Sequence, residues 1–181
     1  MNCELYSILA MAALNKPIIM TAIMGRQDFA WADQRRRQYY PPDRNILPAH
    51  ITLFHHLPPQ ALAEIKQAVK DMTGMNHPPK TSLHRLIHLG NGVAYELHAP
   101  DLLAMRMELA DKFHGLTVLQ DQQTPRLHIT IQNKVSPKDA KQLVTQLSAE
   151  FEPRPFEIKG LALHYYEDGP WQSIGEWPFR G

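Results

Sequence analysis

Cysteine is nearly absent: the 181-residue chain has one, Cys3. No internal disulfide can form, and no Cys-x-x-Cys pair offers a thiolate cage for a metal. This suits a reducing compartment, and the expected location is the cytoplasm. Long apolar runs are also missing. The best candidate, Leu5 to Leu14, covers about ten residues, too few to span a bilayer. Glu4 precedes it and no lysine or arginine does, so it fits a secretory signal poorly. It reads as a short terminal helix or an overlong start, with Met11 as an alternative initiator. An excess of one charge is missing too. The 19 Lys and Arg nearly balance the 18 Asp and Glu, for a net charge of +1. A long nucleic-acid groove is not indicated, whereas a small anion or a nucleic-acid end needs only a few local arginines.

What is present is ordinary in bulk: 44% apolar and 20% charged residues, in a length that suits one domain or two small fused lobes. "PIIMTAIMG" (17–25) reads as a buried strand closed by glycine. The first half of 26–48 suits a helix with Phe29, Ala32 and Arg36 at helical spacing, stopped by Pro41 and Pro42. "HITLFHH" is a short strand. A proline-started helix follows, with Leu62, Ile65, Val69 and Met72 on one face. Residues 82–99 form two runs around Gly-Asn-Gly, a hairpin signal. Residues 100–115 suit a second amphipathic helix, and "RLHITIQNKV" a strand. A helix over 136–151 has Ser136 at its N-cap and Pro137 just after it. The "EDGP" turn closes a last hairpin.

Two landmarks repeat. His50 and His128 lie 78 residues apart, as do Pro59 and Pro137 near the start of each following helix. Each half runs strand, proline-started helix, glycine-containing hairpin. The expected fold is α+β and bilobal: two small, mostly antiparallel sheets, each covered by helices, related by a pseudo-twofold axis around a central cleft. Residues 1–16 are then an N-terminal extension and 17–181 a single bilobal domain.

Side chains alternate along a strand. His50 and Thr52 therefore share one face and Ile51 and Leu53 the other. His128 and Thr130 likewise oppose Ile129 and Ile131. The aliphatic faces can pack beneath helices, leaving two imidazoles and two hydroxyls to converge in a cleft. A neutral imidazole takes a proton from attacking water, and a protonated one gives a proton to the leaving oxygen. Threonine hydroxyls can bind the non-bridging phosphate oxygens where charge accumulates. One His-x-Thr-x tetrad is a weak signal. Two, both His-Ile-Thr and both on strands ahead of a helix, are far less readily explained by incidental core histidines.

The tetrads "HITL" (50–53) and "HITI" (128–131) resemble the signature of the two-histidine (2H) phosphoesterase superfamily, in particular its bacterial 2'-5' RNA ligase/cyclic phosphodiesterase branch. The likeness extends from about Pro17 to Phe179. It implies a bilobal α+β fold with a central cleft and hydrolysis of 2',3'-cyclic phosphate ends. Some members join or cleave 2'-5' linked RNA. His50 and His128 would be the acid/base pair and Thr52 and Thr130 the phosphate-binding groups, with the acid and the base unassigned. Where many relatives carry Leu-Gly after the first motif, this chain has "FHHLP".

The expected activity is therefore a metal-independent phosphodiesterase acting on RNA ends or small nucleotide cyclic phosphates. No cofactor, metal or membrane is expected, and the chain is expected to be a monomer. A 2'-5' RNA ligase or 2'-5' oligonucleotide phosphodiesterase is the nearest alternative, separable by a substrate panel. A non-catalytic RNA- or nucleotide-binding module would bind without turnover, but the intact His/Thr pairs argue against it. A metallohydrolase would lose activity in chelator. No His-x-x-x-His helix supports one, and His56 lies roughly 20 Å along an extended strand from His50.

Arg126 lies two residues before His128 and shares its face by parity, as a phosphate contact or as an exposed strand charge. Tyr39, with Tyr40 and the surrounding Arg35, Arg36, Arg37 and Arg44, could stack and pair with a nucleotide; a solvated helix face with its tyrosines in the core is the competing reading. Trp171 and Trp177 read as core. His84 and His88 share a face, so one could reach the cleft, but they, His98 and His164 read rather as packed or solvated strand positions.

Overall fold

The computed structural model describes residues 16–167 and 169–180. Cys3 and the Leu5–Leu14 run lie outside them. Eight strands form two open, four-stranded antiparallel sheets. The first has the order β2-β1-β7-β8, from Ile51–Leu57, Ile18–Met24, Ile158–Tyr165 and Gln172–Pro178. The second has the order β5-β4-β3-β6, from His128–Gln132, Val93–His98, Ser82–His88 and Arg154–Pro155. The α+β class and the paired sheets agree with the sequence. Each His-Ile-Thr strand lies at one edge of its sheet, so the two edges are equivalent positions.

The two halves of the chain are not the two sheets. The hairpin β3–β4, which follows the first motif, joins the sheet of the second motif. The last hairpin β7–β8 returns to β1, beside the first. Residues 82–155 thus build one sheet, and both flanks of the chain build the other. Element order cannot disclose this, because a hairpin's outer edge is free to pair with any strand.

Helix α1 (Arg26–Tyr39) carries Phe29, Ala32 and Arg36 and ends just before Pro41 and Pro42, as expected. It leaves the first sheet and packs on β5 of the second, and Trp31 meets Tyr95 of β4 at 4.9 Å between ring centres. Helix α2 (Leu62–Met75), preceded by a 3-10 turn at Pro59–Ala61, covers β7 and β8 with Ile65, Val69 and Met72 buried. Helix α3 (Pro100–Lys112) contacts α2, and a short α4 (Leu119–Gln122) lies against β2. Helix α5 (Pro137–Glu150) covers β3 and β4. The Ser136 hydroxyl caps α5 as expected, accepting from the Asp139 N–H at 3.1 Å. One continuous apolar cluster joins residues of both sheets.

Strict alternation fails in β2. Ile51, Leu53 and Phe54 are all buried, because the register slips between Thr21↔Thr52 and Met20↔Phe54, and again before Ile18↔Leu57. The second slip restores the alternation that the first breaks, so Leu57 is buried on the same parity as Ile51 and Leu53, while His55 and His56 are both exposed. Gly92 is needed where β4 starts: a Cβ there would lie 2.1 Å from the Gln132 carbonyl oxygen of β5.

Candidate active site

The two motif strands, β2 and β5, approach each other between the sheets. His50 immediately precedes β2 and His128 opens β5, and both imidazoles are half-buried. Their anchoring is the same. The His50 Nδ1–H donates to the carbonyl of Pro48 at 2.8 Å, and the His128 Nδ1–H to that of Arg126 at 2.6 Å. With the proton fixed on Nδ1, Nε2 of each neutral ring is the basic nitrogen. His128 is near enough to act on His50 electrostatically. Thr52 and Thr130 are half-buried beside their histidines, opposite Thr21 and Ala94 in the register.

The surroundings differ. The His50 ring meets Trp171 at 4.7 Å, and Trp171 meets His164 at 5.5 Å. His164 Nε2 lies 3.1 Å from the Thr21 hydroxyl oxygen. These groups line a cavity of about 370 Å³ with Phe29, Met24, Arg26 and Glu176. Burial lowers the His50 pKa to about 4, against a smaller opposing effect of the Pro48 bond and with help from Arg36, His128 and His164. Burial also lowers the pKa of His164.

The sequence places neither His164 nor Trp171 in the site. Both belong to the last hairpin, which reaches the first motif only through β1, a pairing of residues about 140 apart in sequence. No local signal carries that information.

In the sequence Arg36 is one member of a basic run, and the structure buries it. Its Nε donates to Asn45 Oδ1 at 2.8 Å and to the Leu47 carbonyl at 2.9 Å, and Nη1 donates to the Thr130 carbonyl at 2.8 Å. One guanidinium therefore joins the loop before His50 to the backbone of the second motif. Asp33, one turn earlier, accepts the Ala49 N–H at 3.0 Å. These partners tie down both sides of the first motif's entry.

Arg126 and Tyr39 have other partners. Arg126 Nε pairs with Glu96 Oε1 at 3.1 Å, and Arg85 holds the other carboxylate oxygen at 2.5 Å. Glu96 faces His128 across the ladder, so Arg126 is beside the motif with its charge already engaged. Tyr39 is half-buried against the core with its hydroxyl 3.5 Å from Arg35 Nη1, and it does not line the His50 cavity.

The trailing His55-His56 also has a structural role. The buried Asp121 carboxylate accepts both backbone N–H groups at 2.8–3.0 Å, and His55 Nδ1 at 3.1 Å. Burial alone would raise the Asp121 pKa; these hydrogen bonds outweigh it and leave the pKa lowered. Asp121 thus satisfies the bulged edge of β2. Among the described residues, no group of three His, Cys, Asp or Glu side chains could hold a metal ion, and no helix is long and apolar enough to cross a membrane.

No curated protein matches the sequence. Solved structures do match in fold. TT0787 of Thermus thermophilus is 14% identical with a TM-score of 0.63, covering 91% of this chain and 98% of its own. A protein described as a phosphoesterase is 17% identical with a TM-score of 0.58, covering 92% and 99%. E. coli LigT complexed with 3'-AMP is 15% identical with a TM-score of 0.56, covering 92% and 99%. The family model of the 2'-5' RNA ligase superfamily matches residues 26–170, which contain both motifs. The chain belongs to the 2'-5' RNA ligase superfamily, a family of two-histidine phosphoesterases.

Proposed function

We propose that the protein is a metal-independent phosphodiesterase that opens 2',3'-cyclic phosphate ends of RNA or nucleotides. The observation that carries this reading is the duplicated imidazole anchor. Two histidines, each with Nδ1–H tied to the carbonyl two residues back, leave two Nε2 atoms for proton transfer. His50, held neutral by burial, is the base that takes a proton from water. The water oxygen bonds to phosphorus as one ring P–O bond breaks. His128 enters the step as the imidazolium, gives its Nε2 proton to the sugar oxygen that leaves, and is left neutral with its proton on Nδ1. Thr52 and Thr130 donate to the non-bridging oxygens as charge builds on them. The apolar cavity beside His50 suits the base or nucleoside, with Trp171 and Phe29 as faces to pack on. The same groups would serve ligation if an RNA hydroxyl replaced water, and the superfamily match favours that as a second reading.

The test is turnover of a nucleoside 2',3'-cyclic phosphate in EDTA. Turnover is expected, and it should fall by about 10²–10⁴ in His50→Ala and in His128→Ala. An inactive wild type, or full activity in either variant, would sink the reading.

A further inference from the structure

A second cavity, about 210 Å³ in volume, is lined by Arg36, Tyr40, Arg44, Leu47, Lys134 and Tyr166. Three of these side chains are cations and none is a carboxylate. Asp43 meets the exposed Arg44 only at 3.5 Å. The cavity adjoins the two motifs through Arg36, which lines it and whose guanidinium holds the Thr130 carbonyl. Leu47 lies three residues before His50.

The backbone at Lys134 is the second observation. Its φ of +62° makes it the one non-glycine residue with positive φ among the described residues. That conformation is disfavoured for a residue with a side chain, and such strain collects where a ligand is held. Here it is maintained from both sides. Arg44 Nη1 donates to the Lys134 carbonyl at 3.0 Å, and the Lys134 N–H donates to Asn133 Oδ1 at 2.7 Å. The chain thus leaves β5 in a sharp turn at the cavity wall. Lys134 lies four residues beyond Thr130, about 13 Å along the chain. Among the described residues, none lines both this cavity and the one beside His50, so a nucleoside seated there leaves this cavity to a neighbouring nucleotide of a longer strand.

We propose that this cavity is a subsite for a backbone phosphate of the RNA strand, upstream of the cyclic end. The protein would then take oligonucleotide ends in preference to mononucleotides. This rests on the phosphodiesterase reading. Arg44 and Lys134 supply the charge that pairs with the phosphate, and the exposed ring of Tyr166 offers a face to the adjoining base. Neither cation belongs to the acid/base machinery, so their removal should be felt by long substrates alone.

The experiment compares a uridine 2',3'-cyclic phosphate with a hexanucleotide bearing the same end, using wild type and Arg44→Gln/Lys134→Asn. Asparagine tolerates positive φ and the Asn133 side chain still holds the amide, so the turn is kept although the Arg44 bond is lost. The double variant should lose about tenfold in kcat/KM on the hexanucleotide and stay unchanged on the mononucleotide. Anisotropy binding of a hexanucleotide ending in a 2'-phosphate gives a readout independent of turnover. Its log–log salt slope should shrink by about 0.7 per lost phosphate contact. Equal losses on both substrates, or an unchanged salt slope, would overturn the subsite. Wild type that turns over neither substrate yet shows the slope change would remove the phosphodiesterase reading and leave the anion site.

Discussion

The two motif strands share their anchoring and differ in what surrounds them. Each histidine is pinned through Nδ1 to the carbonyl two residues back. Each strand also receives a buried arginine from a helix that begins in the other sheet. Arg36 of α1 reaches Thr130 of β5, and Arg106 of α3 reaches the Leu53 carbonyl of β2 at 3.3 Å. Around this shared frame the sites have diverged. His50 is walled by Trp171 and His164, whereas His128 lies beside the Arg85–Glu96–Arg126 ion pairs. On the proposed reading, duplication supplies two like imidazoles, and their unlike surroundings divide the base from the acid.

The largest effects follow from removing one carrier at a time. The acid limb of kcat/KM should fall near pH 4, because a protonated His50 cannot accept a proton and burial keeps it neutral down to about 4. In His128→Ala the rate drops by about 10²–10⁴ and the limb near pH 4 stays. In His50→Ala the rate drops comparably and that limb disappears. A profile in which His128→Ala removes the low-pH limb would reverse the assignment of base and acid.

The two buried arginines sharpen the comparison at the level of stability. Arg36→Met leaves the Thr130 and Leu47 carbonyls and Asn45 without their donor. Arg106→Met strips Leu53 and Asp121, whose carbonyl it also holds. Each should cost about 2–4 kcal/mol in urea unfolding, a few unpaired buried acceptors' worth. Only Arg36 acts on the pKa of His50. Its removal should therefore move the acid limb upward, and the removal of Arg106 should not. A limb shifted equally by both would make the effect one of general loosening.

Much of this frame is legible without coordinates. The paired tetrads, the Ser136 cap and the β3–β4 hairpin are local patterns, fixed by residues within a turn or two of one another. The rest depends on distant partners. Bulges in β2 bury Phe54 beside Leu53 against strict alternation, and no residue type announces them. Helix α4 has four residues, too few for a periodicity, yet its buried Asp121 holds the His55-His56 backbone. Arg36 reads as part of a solvated basic run, because burial of a charge is decided by acceptors that tertiary structure brings. His164 and Trp171 reach the site by the β1–β7 pairing, which sequence order does not encode.

Trp171 provides a milder test of the same asymmetry. Trp171→Ala opens the wall around His50 and lets water stabilise the imidazolium. Its pKa then rises from about 4 toward the ordinary 6.5. More of the base is protonated at pH 5, so kcat/KM there should fall several-fold relative to pH 8. The fall at low pH with little change at high pH separates this from a loss of substrate packing, which would lower both.

The smallest expected effect lies on the His128 side, where charge rather than burial sets the character of the site. Glu96 neutralises one of its two arginines, so Arg126 reaches a bound phosphate only in competition with that carboxylate. Glu96→Gln keeps the shape and weakens the ion pairs. If Arg126 serves the phosphate, inorganic phosphate should inhibit this variant at about two- to fivefold lower concentration, since an exposed ion pair is worth only about 0.2–1 kcal/mol. Arg126→Gln should shift inhibition the other way, and the double variant should show Arg126→Gln behaviour. Inhibition unchanged in all three would leave Arg126 as a surface charge that braces β4 against β5, and the phosphate to the threonines and backbone of the two motifs.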